Sequence, residues 1–395
     1  MSDREYDLVL FGATGFTGRL VAEYLAASPE KLRWAIAGRN REKLAALGLS
    51  VPIEIADAMD AASVGALAAR TKVVCTTVGP YAKYGSALVA ACAKHGTHYC
   101  DLTGEVQWMR QMIDAHDAEA RETGARIVHT CGFDSIPSDL GAWAAQQAFH
   151  ERFGGFAQNV TALYGEQSGG LSGGTFASAL ETARVAADDK HVRRLLANPY
   201  GLDPDPKASR PPSPDDMGIG WEPRAKVFTI PFVMAAVNTR VVRRAHALAG
   251  QPWGPDFVYR EVMSTPASAK GALMAVGITG GLAAFLVATG KPRLREWIAK
   301  KVPQPGTGPS AKTRERGHWK VRFLAARGSD LLRFEASDRA DPGYGSTAKM
   351  LGESALCLAL DRLDSPGGVT TPTVAMAAPL LARLRRAGLT FTISS

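Results

Sequence analysis

The chain has 395 residues, of which 46% are hydrophobic and 21% charged, with a formal net charge of +8 and a pI near 9.3. That length exceeds the usual single domain and the composition is globular, which excludes a disordered chain and calls for two structural units with sizeable cores. The basic excess favours anionic ligands or surfaces; because Lys and Arg come in small separate groups with no nucleic-acid-binding motif, nucleic acid is excluded as a partner.

The first element is a strand, Tyr6 to Phe11, running into Gly12-Ala13-Thr14-Gly15-Phe16-Thr17-Gly18 and then an apolar helical stretch from Arg19 to Ala27. Strand, glycine turn and helix together form the arrangement that seats a dinucleotide pyrophosphate. Gly12 permits the turn, Gly15 admits the phosphates to the backbone, and Gly18 lets the helix lie close to the sheet. Thr14, Phe16 and Thr17 complete the candidate phosphate loop, whose N–H groups face the anion. The spacing, G-x-x-G-x-x-G, is one residue wider than the commonest fingerprint, and the plain alternative is an ordinary glycine-rich turn.

The second strand, Leu32 to Ala37, ends in Gly38-Arg39-Asn40-Arg41. An NAD site would place an acid there for the ribose 2′-hydroxyl. Arg39 instead suits a 2′-phosphate, with Asn40 as a further donor, so NADP(H) is expected; the alternative is that these are solvated residues at a helix start.

A helix over 41–47 leads to a third strand at 53–56, ending at Asp57, which joins the candidate cofactor residues. A helix over 61–70, a strand over 72–77, a helix over 86–95, a strand over 98–101, a helix over 106–122 and a strand over 126–129 complete six strands. Such alternation specifies an α/β fold with a doubly wound parallel sheet. Past the fourth strand stand Thr77, Val78, Gly79, Pro80 and Tyr81, candidates for the nicotinamide side of the site. The fifth strand delivers Asp101, Thr103 and Glu105. Tyr81, Asp101 and Glu105 are the candidate catalytic groups for moving a proton, while packing for Tyr81 and helix capping for Asp101 and Thr103 are the structural alternatives. The sixth strand exits through 131–139, where Asp134 and Ser135 either face the cofactor edge or cap the next helix.

Beyond this point the pattern changes to strand-like runs at 159–164 and 225–230 among glycine-rich turns. It predicts a first domain over 1–135, a second α+β domain over 136–342 for substrate and interface, and a stretch 343–395 returning to pack on the first. Proline-rich loops at 203–215 and 303–309 lie on the surface of the second domain. The segment 271–290 carries no charge, with Lys270 before it and Lys291, Arg293, Arg295, Lys300 and Lys301 after it. Three readings stay open: a buried hairpin or cleft wall for lipid, a peripheral membrane contact through 271–301, and a spanning helix.

Cys75, Cys92, Cys100, Cys131 and Cys357 are scattered and odd in number, without a C-x-x-C pair, which argues against a disulfide framework and a metal site. The polar start, running straight into a strand, leaves no room for a signal peptide and points to the cytoplasm, with membrane association as a variant of that location.

The motifs at 12–18, Ala37-Gly38-Arg39, Val78-Gly79-Pro80-Tyr81, 99–105 and 131–139 resemble those of the saccharopine dehydrogenase-like oxidoreductases, and in particular the trans-acting enoyl reductase branch. The resemblance continues through the glycine-rich run 169–175, Asp341-Pro342-Gly343-Tyr344 and 367–372. It implies a Rossmann-type domain, a second domain that walls the substrate and often forms a subunit interface, here a homodimer, and hydride transfer with NADP(H). The substrate it implies is an enoyl double bond in a lipid or polyketide chain, free or carrier-bound. Two alternatives remain open. One is an amino-acid-derived imine, held by Arg240, Arg243 or Arg244; the other is a non-catalytic NADP-binding protein associated with lipid.

Overall fold

The computed structural model describes residues 4–168, 173–301, 308 and 310–394. Residues 169–172 of the glycine-rich run, and all of the 303–309 loop except Gly308, lie outside the described residues.

Six apolar segments form a parallel sheet: β1 (Tyr6–Phe11), β2 (Trp34–Gly38), β3 (Ile53–Ile55), β4 (Thr71–Thr76), β5 (His98–Cys100) and β6 (Arg126–Val128). β1 pairs with β2 on one side and β4 on the other, so the chain winds outward to β3 and then crosses back. That reversal opens a crevice at the carboxyl ends of β1 and β4. Leu8, Val9 and Leu10 of β1, and Val73, Val74 and Cys75 of β4, are fully buried, as strands covered by helices on both faces must be.

A second, mixed sheet takes β7 (Asn159–Ser168), β8 (Gly220–Glu222), β9 (Val227–Pro231), β10 (Val258–Pro266), β11 (His318–Arg327) and β12 (Asp330–Asp338). β11 and β12 form a hairpin in which Arg327 pairs with Asp330 across two residues, the first being Gly328 at φ +56°. The positive φ matches the primed turns that suit strand twist.

The C-terminal stretch serves both sheets. β13 (Gly368–Thr370) adds a seventh parallel strand beside β6, and β14 (Thr390–Ile393) pairs with β12. The sheet orders are β13-β6-β5-β4-β1-β2-β3 and β14-β12-β11-β7-β10-β9-β8. Six strands were expected in the first sheet; β13 has only three residues and no periodicity to betray it, and its partner lies some 240 residues earlier. Between β13 and the preceding strand, the helix Thr347–Leu360 packs on the helix Phe16–Ala26, where Gly352 meets the Tyr24 ring and Tyr24 donates to Glu353 at 2.5 Å.

The helix Ile136–Phe153 packs on the second sheet, against β7, β11, β12 and β14, and is buried over most of its circumference. Gly141 brings it onto β11: a Cβ there would sit 2.5 Å from the Phe323 ring. A buried polar cluster joins this helix to β10 and to the helix Ala235–Leu248. Glu261 accepts from Ser138 Oγ at 3.1 Å, Asn238 Nδ2 at 2.7 Å and Tyr259 Oη at 3.3 Å.

The 271–290 segment is a single helix, Ala269–Thr289, and the buried-hairpin reading is corrected: only 11% of its apolar window is buried. Ser268 caps it by accepting the Gly271 N–H at 3.1 Å. One continuous helix satisfies its own backbone groups, whereas an apolar hairpin would leave an open edge.

Burial pushes the Glu261 carboxyl up to about 7 from its ordinary 4.5, against the hydrogen bonds that pull it down. The native state therefore holds a proton that the unfolded chain has already released, and stability falls as pH rises through that window. Glu261→Gln cannot ionise, so its stability relative to wild type should rise between about pH 5 and about pH 8, by at most about 3 kcal/mol, in denaturant titrations at each pH.

Candidate active site

The turn after β1 is dictated by crowding. Gly12 holds φ +96°, and a Cβ there would lie 2.6 Å from Val78 Cγ2. At Gly18 a Cβ would lie 2.2 Å from the Gly12 carbonyl oxygen and 2.7 Å from Thr77 Oγ1, so only glycine lets the helix Phe16–Ala26 approach the strand ends. Gly15 differs. Nothing lies nearer than 3.4 Å to its Cβ position, and it faces an open cavity. The helix starts there without a side-chain cap and without an acid in its first turn, so its N–H groups and positive dipole end are directed at that space.

The cavity has a volume of about 750 Å³. One end is formed by Gly38, Arg39, Asp57 and Ala58; the glycine turn and Thr77 to Tyr81 form the middle; Leu102, Gly104, Val106 and Asp134 stand at the other end. The second unit closes it with Ser178, Thr182, Met234, Val237 and Phe285, and the C-terminal stretch adds Tyr344 and Thr347.

Of the residues anticipated for the cofactor, Gly12, Thr14, Gly15, Phe16, Thr17, Gly18, Arg39, Asp57, Thr77, Val78, Gly79, Pro80 and Tyr81 all line this cavity. Asn40 does not: its Oδ1 accepts the Lys43 N–H at 2.9 Å and caps the helix Arg41–Ala45. Arg39 is exposed to the cavity without an ion pair among the described residues, and it is the one basic side chain among those lining it. Asp57 uses one carboxylate oxygen on the Met59 N–H at 3.0 Å.

The three anticipated catalytic groups lie near one another but are turned to structural work. Tyr81 donates its hydroxyl to the Thr76 carbonyl at 3.1 Å and stacks on Trp108 with centroids 5.5 Å apart. Glu105 accepts from the N–H groups of Tyr81 and Ala82 at 2.8 and 2.9 Å and from Ser178 Oγ at 3.0 Å, bracing the loop over the cavity. Burial raises its pKa against those bonds. Asp101 is fully buried, and its oxygens meet Tyr99 Oη at 2.9 Å, His129 Nδ1 at 2.8 Å and the N–H groups of Thr103 and Thr130 at 3.1 Å each. Neither Asp101 nor Glu105 lines the cavity.

Asp134 does. It is half-buried, its side chain makes no hydrogen bond among the described residues, and desolvation pushes its carboxyl up to about 6. The capping alternative does not hold here, because the helix Ile136–Phe153 has no side-chain cap and Ser135 instead donates to Asn238 Oδ1 at 2.8 Å. Asp134 and Tyr344 sit in motifs visible in the sequence, and Phe285 lies in the uncharged segment for which a cleft wall was one reading; Met234 and Val237 carried no signal, since an apolar residue lining a cavity reads like one in a core.

Arg240, Arg243 and Arg244 do not reach the cavity. Arg240 pairs with Asp215 at 2.5 Å; Arg243 holds the Pro199 and Tyr259 carbonyls and Ser213; Arg244 holds the carbonyls of Leu202 and Val369. They brace the 196–215 loop, and burial lowers the pKa of Arg243 and Arg244.

A glycine-turned helix start, an arginine where an acid would mark NAD, and an elongated cavity at the crossover define an NADP-binding oxidoreductase. Residues 8–128 match the family model for the saccharopine dehydrogenase NADP binding domain. The chain is 45% identical over 407 residues to a Mycobacterium tuberculosis protein whose name places it among the trans-acting enoyl reductases, with 98% of this chain and 97% of the other covered. It is 41% identical over 409 residues to the trans-acting enoyl reductase of Mycobacterium bovis, and 40% over 407 to that of Mycobacterium ulcerans, with the same coverage. The chain belongs to this family of saccharopine dehydrogenase-like, trans-acting enoyl reductases. Its fold is shared with the saccharopine dehydrogenase (L-Glu forming) of Saccharomyces cerevisiae, at a TM-score of 0.53 and 14% identity over 98% of this chain and 99% of that one.

The residues present fit the cofactor: the open cradle at Gly15 and the uncapped helix start suit the pyrophosphate, and the unpaired Arg39 suits the 2′-phosphate. Arg39→Gln should weaken NADPH binding by about tenfold to a hundredfold while leaving NADH binding nearly unchanged, in titrations of nicotinamide fluorescence.

Proposed function

We propose that the protein reduces the carbon–carbon double bond of an enoyl group borne by a lipid or polyketide chain, presented free, on a carrier or from a membrane. The observation that carries this reading is the character of the cavity beyond Thr77 to Tyr81: Leu102, Val106, Val233, Met234, Val237 and Phe285 offer apolar walls, with Asp134 as the one carboxyl at that end among the described residues. Bound NADPH supplies the hydride. The chain supplies the rest. The apolar walls hold the acyl chain and exclude water, the Gly79 to Tyr81 loop braced by Glu105 keeps the wall in place, and the Asp134 carboxyl donates a proton to the α-carbon as the β-carbon is reduced. Water reaching the cavity then restores that proton. Tyr81, Asp101 and Glu105 act in this scheme as supports for the loop and for the strand ends.

The imine alternative needs cationic side chains for substrate carboxylates, and the three arginines that were candidates for this are engaged elsewhere. The non-catalytic alternative leaves the unbonded Asp134 without a purpose.

Consumption of NADPH with a trans-2-enoyl thioester of medium chain length tests the reading. Asp134→Asn should lower kcat by about a hundredfold or more while NADPH binding is unchanged. Because the acid must be protonated, the wild-type rate should decline as pH rises through about 6. Turnover of saccharopine with none of the enoyl thioester would reverse the assignment.

A further inference from the structure

The helix Ala269–Thr289 leaves an apolar surface bare. Its inward positions follow the helical repeat: Gly271, Ala275, Thr279, Leu282, Phe285 and Thr289 are buried or half-buried. Outside that seam the large apolar side chains are exposed, Leu273 at 73%, Val276 at 59% and Val287 at 65%. A surface helix ordinarily turns charge to water, yet no charged residue stands between Lys270 and Lys291. The N-terminal end is tied to β10, and toward the C-terminal end Phe285 and Leu286 reach the cavity wall and Thr289 is buried beside the next helix. A Cβ at Gly271 would lie 1.9 Å from the Pro266 carbonyl oxygen, Thr265 Oγ1 donates to the Gly271 carbonyl at 2.9 Å, and Arg295 reaches the Thr289 carbonyl at 3.3 Å. The helix therefore lies along the molecule for about 30 Å. The next helix, Pro292–Ala299, adds exposed Leu294 and Trp297, and Lys270, Lys291, Arg293, Lys300 and Lys301 are exposed around the pair, with Glu296 as the only acid from 269 to 301.

We propose that this surface docks on an anionic lipid bilayer, with the helix Ala269–Thr289 lying in the plane of the interface. The basic residues at its ends complement anionic headgroups, Trp297 has the amphipathic ring favoured at that depth, and the outward face is apolar along its whole length. An acidic carrier domain would answer the basic cluster but leave Leu273 and Val276, toward the other end of the helix, in water. Crossing the bilayer would require one of the two anchored ends to let go. Phe285 and Leu286 belong both to this helix and to the cavity wall, so an acyl chain leaving the bilayer meets the cavity without traversing water. Docking rests on the surface alone; that it feeds the cavity rests on the reductase reading.

The test is flotation of the full-length protein with vesicles of equal parts phosphatidylcholine and phosphatidylglycerol, beside vesicles of phosphatidylcholine alone. The wild type should float with the anionic vesicles and at least about tenfold less with the neutral ones. The variant Leu273→Gln/Val276→Gln/Val287→Gln, which changes exposed residues only, should remain at the bottom while binding NADPH normally. Absence of wild-type flotation, or equal flotation of the triple variant, overturns the proposal. So does a stable dimer, or a complex with an acyl carrier protein, that the triple variant loses while neither protein floats. NADPH titration and enoyl reduction on the same preparations separate the two readings: intact reduction without flotation removes the docking alone, and flotation without NADPH binding removes the reductase reading alone.

Discussion

The close approach of Gly18 to the Gly12 carbonyl is the contact on which the site depends. With no side chain at either residue, the helix Phe16–Ala26 can start directly above the ends of β1 and β4, and its free N–H groups point into the crevice that the strand crossover opens. Any Cβ at Gly18 would push the helix away from Thr77 as well, and with it the loop that walls the middle of the cavity. The same helix carries Tyr24, which secures Thr347–Leu360, and Phe16, whose ring meets Tyr344 edge-on with centroids 4.8 Å apart. One steric allowance thus fixes the phosphate cradle and the position of the C-terminal stretch that closes it.

Carboxylates around the cavity divide by what satisfies them. Asp101 and Glu105 are each bonded by backbone N–H groups and hydroxyls, and they fix the geometry of the strand exits. Asp134, half-buried at the cavity, has no such partner among the described residues, and desolvation disfavours its charged form and raises its pKa to about 6. Chemistry is assigned to the group that the fold has left without a structural partner.

The second unit handles its cations by a similar logic. Arg240, Arg243 and Arg244 are buried on one helix, and their terminal nitrogens are held by carbonyls, Ser213 and Asp215, which keeps them away from the cavity and holds the 196–215 loop against the body. Exposed cations are spread over this unit, and one group of them, Lys270, Lys291, Arg293, Lys300 and Lys301, flanks the apolar helix Ala269–Thr289. One set of cations in this unit is thus an internal brace, and another stands beside an apolar surface that suits anionic lipid.

Much of this was legible in the chain. The glycine turn, Arg39 at the end of β2 and the alternation of strands and helices determined a parallel sheet with an NADP site, because they rest on short-range geometry and on which residue types tolerate it. Asn40, expected as a donor to the cofactor, caps a helix through its Oδ1 and does not line the cavity, and a side chain that caps a helix looks in sequence like one that meets a nucleotide. Only the tertiary structure decided that β13 joins the first sheet, that Asp101 and Glu105 are braces while Asp134 faces the cavity, that the three arginines point inward, and that the uncharged segment is a helix with a bare face. These are matters of which side chain finds a partner across long separations in the chain, and no local pattern encodes that.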